Sequence, residues 1–437
     1  MASADATQAV KGGPFLARWQ GRMAPDQAVL TRLEGLAGLL LLVLLTGLPL
    51  FTRTGLALVI TACGALWLLW SLCSPPRRIG IISLWLMLFL AIAIVATGWS
   101  PVPTAASKGL IKLVSYLGVY ALLCKLLLSN ERWWDRLVAG LLSGGLLSSV
   151  LALRQLYASS EELAGWADPN SINAGTIRIY GPLGNPNLLA GYLLPLIPFA
   201  AIAVVRWRGV GAQLFAGTTL VLTAAATLFT YSRGGWLGMV AAGAVLLLLL
   251  LLRWTRHWPP LWRRLVPLAV LLVGAACLVV AATQIDPIRT RITSLLAGRG
   301  DSSNNFRINV WMAAIQMVQD RPWLGIGPGN AAFNSIYPLY QQPKFNALSA
   351  YSVPLEILVE TGIPGLLACL GLLASSLKQG LKQLNADSPS ALAAIAGLAA
   401  IAGLLMQGST DTIFFRPEVQ LIGWFALASL VSRPSES

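Results

Sequence analysis

Long apolar runs at short intervals leave this chain few ways to fold. Residues 35–51, 81–97, 239–252 and 265–282 are almost wholly apolar. Each approaches or reaches the ~20 residues that cross a ~30 Å hydrocarbon layer. With 56% hydrophobic and 11% charged residues over 437 positions, the chain has room for about a dozen such crossings. An all-α polytopic membrane protein is the fold class this dictates, because a lipid-exposed backbone must satisfy its own hydrogen bonds.

Twelve spans are predicted near 33–51, 55–72, 80–98, 107–124, 137–156, 184–205, 213–230, 236–252, 265–283, 353–376, 390–408 and 416–432. They divide the chain into a tail (1–32), nine spans (33–283), a long polar loop (284–352), three spans (353–432) and a short tail (433–437). The first thirty residues carry Lys11, Arg18 and Arg22 and show no early apolar core with a small-residue cleavage site, so the first span reads as an uncleaved anchor. The formal charge of +14 suggests nucleic acid until its distribution is traced. More than half of the 31 Lys and Arg fall in alternate loops and the termini, as in Arg77-Arg78, Lys125 with Arg132 and Arg136, Arg206 with Arg208, and Arg253 with Arg256. Cytoplasmic loops carry that excess. The expectation is a multi-pass protein of the cytoplasmic membrane with both termini inside and no nucleic-acid partner. Five cysteines without CxxC spacing fall in or beside spans and predict packing, with no metal site.

The segment 284–352 is the one long polar interruption, placed at the outer face. Within it Ile308, Trp311, Met312, Ile315 and Val318 recur at helical spacing. They predict an amphipathic helix from Ser302–Asn305 to Asp320-Arg321-Pro322, lying in the interface with Trp311 as its anchor. The following Arg321 to Asn330 stretch contains Gly325, Gly327 and Gly329, which read as a tight re-entrant turn. They follow no buried strand, so a dinucleotide loop is excluded.

Arg233, in Ser232-Arg233-Gly234-Gly235, lies at the outer edge of a span. An arginine there either snorkels or binds an anion with its planar fork. Arg307 has the same two readings, a solvated helix face or a fixed cation. Asn187, in Gly184-Asn185-Pro186-Asn187, stands either at a helix cap or in a lumen-facing site. The single histidine, His257, lies in a basic loop assigned to the other face, so no histidine base is available outside. No acidic residue deep in a span stands out as an ion-coupling group, and no inverted repeat is visible.

Ser232 to Gly235, Arg307 with Trp311, Pro322 to Gly329 and Leu355 to Gly365, taken in order, resemble the O-antigen ligase and polymerase superfamily over residues 180–430. That resemblance implies transfer of a glycan from an undecaprenyl-diphosphate carrier to an acceptor, without metal or cofactor. It assigns the diphosphate to Arg233 and Arg307, with Asn187, Trp311, Arg321, Gly325, Gly327, Gly329 and Ser352 in support. The family's base, a histidine before the tenth span, falls on Tyr351, whose reference pKa near 10 makes it a poor base at neutral pH. The form Ser349-Ala350-Tyr351-Ser352 is similar to a cyanobacterial branch described as inorganic-carbon (bicarbonate) transporters. Bicarbonate handling, with lipid-linked glycan transfer as the alternative, is therefore the expected function.

Overall fold

The structure, a computed structural model, describes residues 27–75, 79–157, 178–284, 289, 298–384 and 389–431. The N-terminal stretch, Arg77-Arg78, the acidic loop through Asp168 and the last six residues lie outside these. The described residues form a helical bundle with 11 helical stretches long and apolar enough to cross a membrane. The chain is a multi-pass membrane protein.

Helices α1 (Gln27–Gly47), α2 (Arg53–Cys73), α3 (Ile81–Gly98), α4 (Pro103–Ser129) and α5 (Arg132–Arg154) follow in order. The sixth crossing is broken into α6 (Pro186–Leu193) and α7 (Leu196–Arg206) around Pro195, whose missing N–H interrupts the ladder. Next come α8 (Val210–Phe229), α9 (Arg233–Trp254) and α10 (Pro260–Gln284). After the polar segment stand α13 (Val353–Gln383), α14 (Pro389–Gly408) and α15 (Pro417–Ala428). The polar segment itself folds into α11 (Ser302–Asp320) and the short α12 (Asn330–Ile336).

Burial separates the centre from the rim. The α6–α7 crossing is 83% buried, whereas α10 is only 6% buried and stands at the periphery. Helices α9 and α14 pack closely because Gly238 faces Gly403, where a Cβ on Gly238 would meet the Gly403 carbonyl oxygen at 2.8 Å. The predicted twelfth crossing is short: its helix α15 has 12 residues, about 18 Å at 1.5 Å per residue. Yet the segment runs from Asp411, bonded to Asn187 at the start of α6, to Ser429, which accepts from Trp134 Nε1 at 3.0 Å beside Arg206 at the end of α7. Residues 419–430 are buried, so its apolar character serves the bundle's interior.

One end of the bundle is closed by a staple. Arg206 on α7 forks onto Asp135 of α5 at 2.7 and 2.9 Å, and its remaining Nη1 donates to the Pro389 carbonyl. The guanidinium also lies 4.8 Å from the Trp134 ring centroid, while Trp207 Nε1 donates to Asp135 at 2.9 Å. At the other end α11 and α12 cap the helices.

The structure adds which side of α11 docks on the bundle. The periodicity of Ile308, Met312 and Ile315 marks the outward side, with Met312 and Ile315 46% and 48% exposed. The docked side is Asn309, Val310, Ala313, Ala314 and Met317. Alanines permit close approach, so the smaller apolar stripe faces the bundle. Trp311 is half-buried and donates from Nε1 to the Tyr351 carbonyl at 3.3 Å, so it ties the cap to the chain ahead of α13.

Candidate functional site

The cap is fixed by residues that also carry charge. Asp301 is the N-cap of α11, accepting from Asn304 N at 3.1 Å. The same carboxylate receives the fork of Arg233, Nη2 to Oδ2 at 2.7 Å and Nη1 to Oδ1 at 3.0 Å. Asn304 Oδ1 accepts a further bond from Arg233 Nη1 at 2.8 Å. Burial alone would raise the Asp301 pKa. The Arg233 guanidinium and the backbone N–H groups of Asn304 and Ser303 outweigh it and hold the carboxyl below its usual 3.8. Arg233 is therefore neutralised within the protein. A ligand anion would reach it beside Asp301 or in place of it.

Arg307 lies on the same helix and is less fully engaged. Its Nε donates to the Thr410 carbonyl at 3.0 Å and its Nη1 to Ser303 Oγ at 2.7 Å. Nη2 has no hydrogen-bond partner among the described residues. Asp411, next to Thr410, is buried between the α14 and α15 ends. Asn187 Nδ2 donates to its Oδ2 at 3.1 Å, and Thr412 N donates to its Oδ1 at 2.8 Å. Burial pushes the Asp411 pKa above the usual aspartate value. The Arg307 charge and the bonds from Thr412, Asn187 and Ile413 oppose that shift without cancelling it.

Asn187 extends the network. Asn185 caps α6, accepting from Asn187 N and Leu188 N, so of the two asparagines this is the cap. The Asn187 side chain instead bridges two charges, accepting from Arg178 Nη2 at 2.7 Å while donating to Asp411. Arg178 Nε also donates to the Thr230 carbonyl at 2.9 Å. Three arginines and two aspartates thus form one connected polar cluster under the cap.

Tyr351 sits beside this cluster with its backbone in the left-handed region, φ 50°. Tyr231, two residues before Arg233, shares that conformation at φ 49°. Such backbones in bulky residues cost about 1–3 kcal/mol and concentrate at functional sites. The Tyr351 ring meets Phe306 edge-on at 5.3 Å. Burial raises its phenol above 10 and the Asp411 charge adds to this, Arg307 opposing and Glu356 reinforcing. The phenol therefore stays protonated at neutral pH and offers less phenolate as a base than tyrosine in water. Ser352 is the N-cap of α13 without a side-chain cap bond.

The glycine turn is occupied by packing. Gly325 N donates to the Arg321 carbonyl, Ile326 N to the Val359 carbonyl and Gly327 N to the Glu360 carbonyl, at 3.2, 2.9 and 2.9 Å. Its backbone stitches onto α13 where Gly362, at φ 67°, breaks that helix. At Gly329, φ 97°, a Cβ would stand 2.6 Å from Gly109 Cα on α4. Only glycine fits. Arg321 is exposed and reaches the Trp99 carbonyl at 3.4 Å, away from the arginine cluster's hydrogen bonds.

The sequence reading saw no acidic residue deep in a span. The structure buries two in the first turns of α13, Glu356 at 1% and Glu360 at 6% exposure. Glu356 accepts from Ala350 N, on the Tyr351 side. Among the described residues no group of three His, Cys, Asp or Glu could hold a metal ion.

Residues 218–370 match the O-antigen ligase family model. The matched segment runs from α8 into α13. It includes Arg233, Asp301, Arg307, the glycine turn and Tyr351, and supports membership of that superfamily. Arg178, Asn187 and Asp411 lie outside it and join the cluster only through the fold. No curated protein matches the chain. Sequence reasoning missed Arg178, Asp301 and Asp411. An Asp before the predicted α11 start was the available signal for Asp301, and nothing local marked the other two.

Proposed function

We propose that this chain binds a lipid-linked glycan through its diphosphate and transfers the glycan at the outer face of a bacterial cytoplasmic membrane. The observation that carries this reading is Arg307, with one guanidinium nitrogen free of hydrogen bonds among the described residues, beside a second arginine and a buried carboxylate. The Nη2 of Arg307 offers a charged donor to a diphosphate oxygen, and Arg233, beside Asp301, adds a second cation. The O-antigen ligase match over the same residues supports it.

In this mechanism an acceptor hydroxyl oxygen attacks the sugar carbon that carries the diphosphate. The bond from that carbon to the diphosphate oxygen breaks, and the lipid diphosphate leaves with its electron pair. Arg307 and Arg233 stabilise the negative charge that develops on it. Asp411 accepts the proton lost from the hydroxyl, taking the place of the family's histidine. A buried carboxylate with a raised pKa suits that task better than the Tyr351 phenol.

Bicarbonate handling is favoured only by Tyr351 standing at the histidine position. A host deletion strain separates the two readings. Loss of a surface glycan or accumulation of a lipid-linked pool, restored by the wild-type gene but not by Arg307→Ala, supports transfer. An unchanged glycan profile together with labelled bicarbonate uptake in proteoliposomes overturns it.

A further inference from the structure

A second site lies away from the arginine cluster. A cavity of about 790 Å³ opens between α2, α3 and α4 on one side and α13, α14 and α15 on the other. Its wall is mostly apolar, from Leu56, Ile60, Phe89 and Leu373 among others. None of Arg233, Arg307, Tyr351 or Asp411 lines it. On α13 it takes Val353, Ile357 and Glu360, whereas Glu356 bonds on the Tyr351 side.

Three cations on this wall stand without partners. Lys108 and Lys112 are one turn apart on α4, and Arg53 begins α2. None of the three has a hydrogen bond or ion pair among the described residues. Lys112 is about 14 Å along the helix from its first residue at 1.5 Å per residue. Like charges at i, i+4 repel, and a cation inside a span is costly unless it snorkels or meets an anion.

A separate observation also points to a ligand. Trp424, 5% exposed, lines the cavity and its Nε1–H has no acceptor. A buried indole donor ordinarily has one. On the same wall Glu418 lies 4.0 Å from Arg416 and has a buried oxygen with no hydrogen bond.

We infer that this cavity holds a lipid with a phosphate headgroup, its hydrocarbon chain against the apolar wall and its phosphate on Lys108, Lys112 and Arg53. The chain's carbons fill the volume, and an oxygen of the lipid accepts from Trp424. The site is distinct from the transfer cluster: of the residues the resemblance places around the diphosphate only Gly329 lines it, and Arg233, Arg307, Tyr351 and Asp411 do not.

Native mass spectrometry of the full chain in detergent tests this with three probes. They are dioleoyl phosphatidylglycerol, dioleoyl phosphatidylcholine and undecaprenyl phosphate. The inference predicts one bound anionic lipid, preferred over phosphatidylcholine by at least about tenfold, the factor one charge-assisted hydrogen bond supplies. Lys108→Ala with Lys112→Ala removes the preference, and Ala57→Phe, which fills the wall, lowers occupancy. Arg307→Ala leaves both unchanged even if glycan transfer fails. Retention of phosphatidylglycerol identifies a bilayer phospholipid, and retention of undecaprenyl phosphate alone identifies the carrier. Equal retention of phosphatidylcholine, or a preference that survives the lysine changes, overturns the inference.

Discussion

Two arginine–aspartate forks close the two ends of this bundle, and their surroundings separate a staple from a site. Arg206 and Asp135 join α7 to α5, and the arginine's further donor is taken by a backbone carbonyl while an indole stacks beside it. Asp135 keeps 35% of its side chain in contact with solvent. Arg233 and Asp301 have nearly the same geometry, but Asp301 is fully buried. Beside them stand Arg307, Asp411, Asn187 and Arg178, more charge than packing requires. Buried charge of this kind is retained at a cost, since desolvation of each ion has to be offset. The first pair holds helices together; the second orders a cap over a polar cluster.

Breaking the two pairs should therefore give unequal results. Asp301→Ala leaves a buried guanidinium without its carboxylate and uncaps α11, an expected loss of about 3–5 kcal/mol. Asp135→Ala should cost about 1–3 kcal/mol, because Arg206 keeps the Pro389 carbonyl and access to water. Chemical denaturation in detergent reads both, and equal losses would dissolve the distinction.

Activity sharpens the contrast next. Asp411→Asn preserves the shape of the cluster and removes the proton acceptor, so transfer should fall by about a hundredfold or more. The fold should stay intact, since the amide has the carboxylate's shape and its oxygen still accepts a hydrogen bond there. A variant that keeps its rate would move the base elsewhere.

Gly329→Ala tests how the cap is seated. A methyl group there meets Gly109 Cα at 2.6 Å in a left-handed backbone, and about 1–3 kcal/mol should be lost. Two smaller effects follow. Tyr351→Phe should leave the pH profile of transfer unchanged between pH 6 and 9, since the phenol titrates above 10. The Arg233–Asp301 contribution should be complete above pH 3.8 and fade only below it, because the native carboxyl titrates lower than the unfolded one. Acid unfolding of wild type against Asp301→Asn measures that window.

The spans, the amphipathic segment and the two cap arginines were legible in the sequence because each rests on local pattern. Apolar length marked the crossings, and Ser302–Asn305 marked a helix start. Which side of α11 docks was not legible, because small alanines rather than its larger apolar side chains make the close contact. Asp411 and Arg178 come to the cluster from segments 233 positions apart, which no spacing rule reaches. Glu356 and Glu360 stood in plain view within a recognised motif. Their burial, however, depends on the cap segment folded against α13.

The central claim is that Arg307, and not the Arg206 staple or the lysine-lined cavity, anchors a diphosphate. Thermal unfolding of the purified chain with geranyl diphosphate, a soluble short-chain polyprenyl diphosphate, tests it most directly. At about a hundredfold excess over its dissociation constant the ligand should stabilise the wild type by ~2.7 kcal/mol. That stabilisation should vanish in Arg307→Ala and persist in the variant lacking Lys108 and Lys112. Stabilisation of Arg307→Ala equal to wild type, or none in the wild type, would contradict the account.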